Sequence, residues 1–330
     1  MKTSDTVLDT LRSELAAASV FEPATKYFVV LGIVLGALHV IAYGTLLSAP
    51  GGGVRFVMLV LAVFTSVQLA LIAHDAAHGA IARRRWRRQL VGHLGMSLVN
   101  GYSFAYFTAT HLAHHASPND PARDPDMRPE VFSVHAPWPA GKRGLGRVVR
   151  RYQAWLLPFG LCLWAFALRG NGLAHALRHR AEARADLIAV TLHAIVWLIV
   201  PTAVLGPGAA LVNYLVMSAM VGVYLAALFI PNHVGMPIVS TDSPLGYVSR
   251  QVMTSRNFGR SALVAFLAGG LDSQIEHHLI PNVPHVRLRR ARGVVREFCA
   301  RHDLPYAQKG YVEIWRDVLA QFDRVGRTAP

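Results

Sequence analysis

Four apolar stretches, paired by joints too short to fold, constrain this chain more than any other feature. They are Tyr27 to Leu47, Val54 to Ala73, Leu187 to Leu205 and Ala209 to Ile230. Each is close to the roughly 20 residues that cross a bilayer core of ~30 Å. Ser48 to Gly53 joins the first two, and Gly206-Pro207-Gly208 joins the second two. Such Gly/Pro-rich links turn the chain and leave no room for a domain. The expected backbone is two helical hairpins. Charge agrees, because only 16% of the 330 residues are charged and mean hydropathy is +0.33. A soluble enzyme carries about a quarter charged residues.

Two further stretches, Leu90 to Thr110 and Tyr152 to Leu168, are apolar enough to be counted as spans. The basic residues decide against that. If both stay at the membrane surface, 32 of the 33 Lys and Arg fall on one side and only Arg55 on the other. The positive-inside rule makes the basic side the cytoplasm. Both stretches are therefore read as interfacial or partly embedded helices, with both termini cytoplasmic. The net charge of +14 then follows from topology and calls for no nucleic-acid partner. The N-terminal MKTSDTVLDTLRSELAAAS has no apolar core ahead of a cleavage site, unlike a signal peptide. Cys162 and Cys299 stand far apart and suggest neither a disulfide framework nor a thiolate metal site. The fold expected is an all-α integral membrane protein of one domain, residues 1–330. Four transmembrane helices carry interfacial helices and a cytoplasmic helical cap made from about 74–186 and 231–330.

Three histidine clusters fall where this topology brings them to one membrane face. They are His74-Asp-Ala-Ala-His78, His111-Leu-Ala-His114-His115 and Gln274-Ile-Glu-His277-His278. With 16 histidines in the chain, one H-x-x-H-H is expected by chance roughly 0.04 times. A second cluster of like spacing is therefore no accident. On a helix, i and i+4 share a face about 5–6 Å apart, so His74 with His78, and His111 with His115, can converge on one metal or on adjacent metals. His114 is turned about 100° from His115 and can serve a second metal. A lone histidine at a helix end is more often a cap or interfacial residue, but seven in three spaced clusters are not. A zinc site needs only three or four ligands, so seven imply two metals. Imidazole ligation leaves zinc, copper, iron and nickel open. A zinc hydrolase would need a His-Glu-x-x-His helix or similar, and none occurs. A metal transporter should carry ionisable residues mid-span, where only His39 and His193 lie apart from the clusters.

These clusters resemble the histidine boxes of the membrane fatty acid desaturase family. The likeness to bacterial members extends to Pro231-Asn232-His233-Val234-Gly235-Met236-Pro237, to Gln251 through Asn257, and to Gly269 through Leu279, and it covers roughly residues 60–305. Gln274 at the head of the third box matches the variant of front-end and many bacterial acyl desaturases. The resemblance implies four transmembrane helices under a cytosolic cap, in a bacterial cytoplasmic membrane. It implies two irons held by His74, His78, His111, His114, His115, His277 and His278, with His233 as an eighth ligand. Pro231 would end or kink the last span and could aim the following residues inward. Gln274 and Asn232 would act indirectly, through water. Asp75, Asp120, Asp124, Asp126, Asp272 and Glu276 are candidates to accept from ring N–H groups, and each is equally open to a helix-cap or ion-pair role.

The reaction so implied is the insertion of a cis double bond into a fatty acyl chain held on CoA, a carrier protein or a phospholipid. Dioxygen is the co-substrate and leaves as water. A hydroxylase, ketolase or acetylenase on the same scaffold is the alternative. Positioning would choose the carbon attacked, and a dry site would protect the oxidant. No His-Pro-Gly-Gly, four-cysteine or G-x-G-x-x-G pattern occurs. Electrons are therefore expected from a separate carrier of ferredoxin or cytochrome b5 type. The arginine-rich runs Arg83 to Arg88 and Arg287 to Arg296 could dock it, or could simply meet anionic lipid headgroups.

Overall fold

The computed structural model describes residues 4–49, 51–128, 131–135, 144–259 and 261–328. Its helices are α1 (Ser4–Ala17), α2 (Thr25–Leu47), α3 (Gly52–Ala77), α4 (Arg85–Gly92), α5 (Phe104–Ala116), α6 (Leu145–Arg151), α7 (Gln153–Arg178), α8 (Arg184–Ala194), α9 (Val200–Leu205), α10 (Pro207–His233), α11 (Tyr247–Met253), α12 (Ala262–Ala268), α13 (Gln274–Leu279), α14 (His285–Arg301) and α15 (Tyr311–Arg327). π-Helical turns at His93–Val99 and Ile195–Ile199 continue α4 and α8. Two short strands, β1 (Asn257–Phe258) and β2 (Gln308–Lys309), pair in parallel. The chain divides into two compact units. One comprises Pro23–Ala109 and Gly160–Ala226, and the other Met1–Glu22, Thr110–Phe159 and Ala227–Pro330. We call them the apolar unit and the histidine unit.

In the apolar unit α2 and α3 pack as the first hairpin, and the π-turn after α4 lies against α3. Gly95 makes that approach possible, since a Cβ there would stand 2.4 Å from the Leu69 carbonyl oxygen. Among the described residues, five helical stretches are long and apolar enough to cross a membrane: Thr25–Leu47, Gly52–Ala77, Gln153–Arg178, Arg184–Leu205 and Pro207–His233. Four are the expected spans with their ends extended. The fifth, α7, runs past the expected end at Leu168 and takes in Arg169. The Arg169 Nε donates to the Asn100 carbonyl at 2.7 Å and its Nη1 to Ser218 Oγ at 2.6 Å. Its guanidinium also lies 5.2 Å from the Tyr214 ring centroid, so the charge is held by dipoles and a π-face. His39 and His193 are likewise engaged, with Nδ1 2.9 Å from Thr65 Oγ1 and from the Leu98 carbonyl respectively.

The stretch from Leu90 to Thr110, expected as a single helix, is instead two pieces separated at Asn100–Ser103. Asp186 holds the break open. This carboxylate is fully buried and accepts from His93 Nδ1 at 3.0 Å, Ser97 Oγ at 2.6 Å and Ser103 Oγ at 2.8 Å. It also accepts from the backbone N–H groups of Phe104 at 2.9 Å and Ala105 at 3.0 Å. Those two belong to the first turn of α5, where helical N–H groups have no intrahelical partner and the helix dipole favours a negative charge. Asp186 thus caps the helix that carries the second histidine box.

The core of the histidine unit joins both ends of the chain. Leu11, Leu15 and Val20 are fully buried against Val248 and Val252 of α11 and against Leu288, Val295 and Phe298 of α14. The polar-looking N-terminus therefore supplies a core element. The turn before α13 depends on glycine. Gly270 has φ +90°, and a Cβ there would stand 2.5 Å from the His285 Cβ, so both conformation and space exclude other residues. The second arginine run also sorts itself. Arg292 is buried with Asp272 at 3.1 Å and Arg287 meets Glu22 at 3.2 Å, whereas Arg289, Arg290 and Arg296 are exposed.

Candidate metal centre

Box one belongs to the apolar unit. His74 lies in the last turn of α3 and His78 caps it, so the i,i+4 spacing puts the two rings on one face with centroids 4.8 Å apart. Asp75 Oδ1 lies 3.5 Å from His74 Nδ1.

The other six histidines lie in the histidine unit and form two trios. One ring nitrogen from each of His111, His115 and His277 lies within 4.8 Å of the others, and the same holds for His114, His233 and His278. His114 and His115 are neighbours in sequence but serve different trios, as the 100° step of a helix requires. His277 and His278 on α13 divide in the same way. His233, at the end of α10, joins one histidine from box two and one from box three. The trios adjoin, with the His115 and His278 rings stacked at 4.1 Å. Within the first trio, the Nε2 atoms of His111 and His115 face each other at 3.1 Å.

Hydrogen bonding assigns the protons in the second trio. His114 Nδ1 lies 2.9 Å from an Asp124 carboxylate oxygen. His233 Nδ1 lies 2.9 Å from the Thr254 carbonyl. His278 Nδ1 lies 3.0 Å from Gln251 Oε1. Each of these oxygens can only accept, so each Nδ1 carries the proton and each neutral ring keeps its lone pair on Nε2. Metal-bound histidines are normally held this way, with the outer nitrogen donating to a carboxylate or carbonyl. For His114, burial disfavours the imidazolium but the nearby Asp126 and Asp124 carboxylates outweigh it and raise the pKa. The donor set is imidazole throughout, and three lone pairs turned toward one another suit a cation between them. Two trios fit two metal ions.

The remaining candidates take separate places. Gln274 Nε2 lies 3.1 Å from His233 Nε2, and its buried Oε1 has no protein partner among the described residues. Asn232 is fully buried; its Nδ2 donates to the Leu228 carbonyl and its Oδ1 is likewise without a partner among those residues. Asp124 bonds the His114 ring, while Asp126 flanks the same nitrogen at 3.6 Å. Asp120 accepts backbone N–H groups of Ala122 and Thr241. Asp272 pairs with Arg292. Glu276 is fully buried, accepts from Tyr306 Oη at 2.7 Å and Asn257 Nδ2 at 2.8 Å, and has its pKa raised by burial. Gln251 and Thr254 did not stand out as partners of the histidines. The one signal available was a polar glutamine among Val248, Val252 and Met253, in a stretch already noted for its likeness to bacterial desaturases.

The profile of the fatty acid desaturase family matches residues 50–310. The chain belongs to the fatty acid desaturase family. It is 26% identical over 311 residues to an acyl-lipid (9-3)-desaturase of Physcomitrium patens, covering 90% of this chain and 57% of that protein. To fatty acid desaturase 3 of Bos taurus it is 25% identical, covering 96% of this chain and 72% of the relative. A Δ8-(E)-sphingolipid desaturase of Komagataella phaffii is 26% identical, covering 74% of this chain and 49% of that protein. The chain thus spans about half to three-quarters of the length of these relatives.

Proposed function

We propose that this protein is an oxygen-dependent membrane desaturase that removes two hydrogens from adjacent carbons of a lipid acyl chain, using two irons. The observation that carries the reading is the second trio, whose three Nδ1–H groups are committed outward in a chain of the desaturase family. His111, His115 and His277 would serve one iron and His114, His233 and His278 the other. His74 and His78 complete the set of eight imidazoles on the strength of the box-one motif. When bound, reduced iron supplies activation of dioxygen. The protein's part is to hold neutral imidazoles in fixed tautomers, keep Asp124 and Gln251 on their outer nitrogens, and exclude water with buried ligands. Each turnover consumes one dioxygen, two electrons and two protons, and yields the alkene and two waters. A separate one-electron carrier of ferredoxin or cytochrome b5 type would deliver the electrons.

The test compares the lipids of a host expressing the wild type with those of a host expressing His114→Ala. The expected product is two mass units lighter than its parent and is absent with the variant. Its double-bond geometry should be scored, because one relative is named for an E product. A product heavier by one oxygen would make the protein a hydroxylase. Purified protein from iron-replete medium should hold about two irons per chain with little zinc; one zinc and no iron would end the assignment.

The reading also includes a topology, a bacterial cytoplasmic membrane with both termini inside, which rests on the one-sided arginines. Asp242 and Val312 are exposed, at 77% and 65%, whereas Ser133 is 1% exposed and unsuited to labelling. With Cys162 replaced by serine, an impermeant thiol reagent should label Gly53→Cys in intact cells. Asp242→Cys and Val312→Cys should react only after lysis. Labelling of Asp242→Cys from outside would overturn the topology.

A further inference from the structure

The segment from Gln251 to Arg256 supplies none of the eight histidines, yet it touches both trios. Gln251 is fully buried. Its Nε2 donates to the His115 carbonyl at 2.8 Å while its Oε1 accepts from His278 Nδ1 at 3.0 Å. Because a carbonyl cannot donate, the NH₂ group must face His115, which locks the amide in one orientation and His278 in one tautomer. Three residues on, the Thr254 carbonyl receives the His233 ring. Arg256 then grips the main chain on either side of His233. Its backbone N–H donates to the Asn232 carbonyl at 3.1 Å, its Nε to the Pro231 carbonyl at 2.5 Å, and its Nη2 to the Val234 carbonyl.

We propose that Gln251 is a positioning residue for the di-metal centre, whose single amide holds the His278 ring of one trio and the main chain of His115 from the other. The proposal rests on the reading that the trios hold iron. It makes Gln251 the link that registers one metal position against the other. An outer partner of a metal-bound histidine fixes ring orientation and raises ligand basicity, and its loss commonly weakens metal binding 10–100-fold. Gln251→Leu removes both bonds, freeing the His278 ring to change tautomer and leaving the His115 carbonyl without its donor. Gln251→Glu keeps an acceptor on His278, now a stronger one, and loses the donor to His115.

The experiment uses full-length wild type, Gln251→Leu and Gln251→Glu in detergent. Iron affinity is measured by chelator competition, the Mössbauer spectrum on ⁵⁷Fe-loaded protein, and the reduction potential by titration with mediators. The expected result is about 10–100-fold weaker iron binding in Gln251→Leu. Gln251→Glu should retain iron with changed Mössbauer parameters and a lower reduction potential, because a carboxylate makes His278 the more electron-rich ligand. A purely structural amide would leave the potential and spectrum of any iron retained as in the wild type. Wild-type affinity in Gln251→Leu together with a wild-type spectrum and potential in Gln251→Glu overturns the proposal. Should the leucine variant fail to fold, the spectrum and potential of the glutamate variant decide it. A wild-type protein that binds no iron would overturn the functional reading, and this inference with it, whereas unchanged variants of an iron-loaded wild type overturn the inference alone.

Discussion

Replacing His233 with alanine is expected to abolish turnover and to remove about one of two irons per chain. The ring stands alone in sequence but sits with His114 and His278 in a trio whose nitrogens lie within 4.8 Å, and its Nδ1 is anchored on Thr254. Removing it deletes one of three donors on that side, so the loss of affinity should exceed the ~10–100-fold typical of an outer partner. Gln274→Ala is the paired control. The Gln274 amide meets the trio at a 3.1 Å contact with His233 and supplies no imidazole, so this variant should keep most of its metal. Iron analysis and product analysis on the two proteins in membranes separate the cases. Full iron and normal product from His233→Ala would remove it from the coordination sphere.

A loss of different origin is expected at Asp186. Alanine there removes the acceptor shared by the His93 ring, the Ser97 and Ser103 hydroxyls and the Phe104 and Ala105 backbone N–H groups. It leaves the Phe104 N–H and the His93 ring only their longer contacts with Ser97 Oγ, at 3.2 and 3.4 Å. A buried donor left without an acceptor costs about 1–3 kcal/mol, and removing one partner of a buried charged network costs about 3–5 kcal/mol. Asp186→Ala should therefore unfold at markedly lower temperature in detergent, and the iron should be lost as α5 loses its cap. Asp186→Asn, which keeps an acceptor of the same shape, should recover part of the stability. A melting temperature for Asp186→Ala within a degree of wild type would show that the break at Asn100–Ser103 stands without it.

The spans were legible because twenty apolar residues in a row are a local signal, and the structure moves their ends by only a few positions. The boxes were legible because helical spacing is local too, which is why the 100° offset already turns His114 and His115 apart, and they fall in different trios. Contacts distant in sequence were not readable. Nothing in the run from Leu90 to Thr110 announces a break, since the carboxylate that stabilises it is Asp186, in the first turn of α8. The apolar stretch expected to end at Leu168 continues past Arg169 because Ser218 and Tyr214, both from α10, accommodate the charge. Gln251 carries no marker of its role, because the atoms it orients belong to residues 115 and 278. The aspartates near the boxes divided by geometry alone: Asp124 bonds a ring, whereas Asp272 bonds an arginine.

The seating of α1 has a consequence for how the molecule is made. Leu11, Leu15 and Val20 are fully buried, yet their partners on α11 and α14 come from the far end of the chain. All of the apolar unit emerges from the ribosome in between. At 5–20 residues per second, on the order of 15–60 s separate the synthesis of α1 from that of α14. During that interval an apolar helix face waits without its final cover. Folding of the histidine unit therefore waits on the synthesis of α14. The contact of α1 with α14 is thus a late one, since it can form only once residues 285–301 have been made.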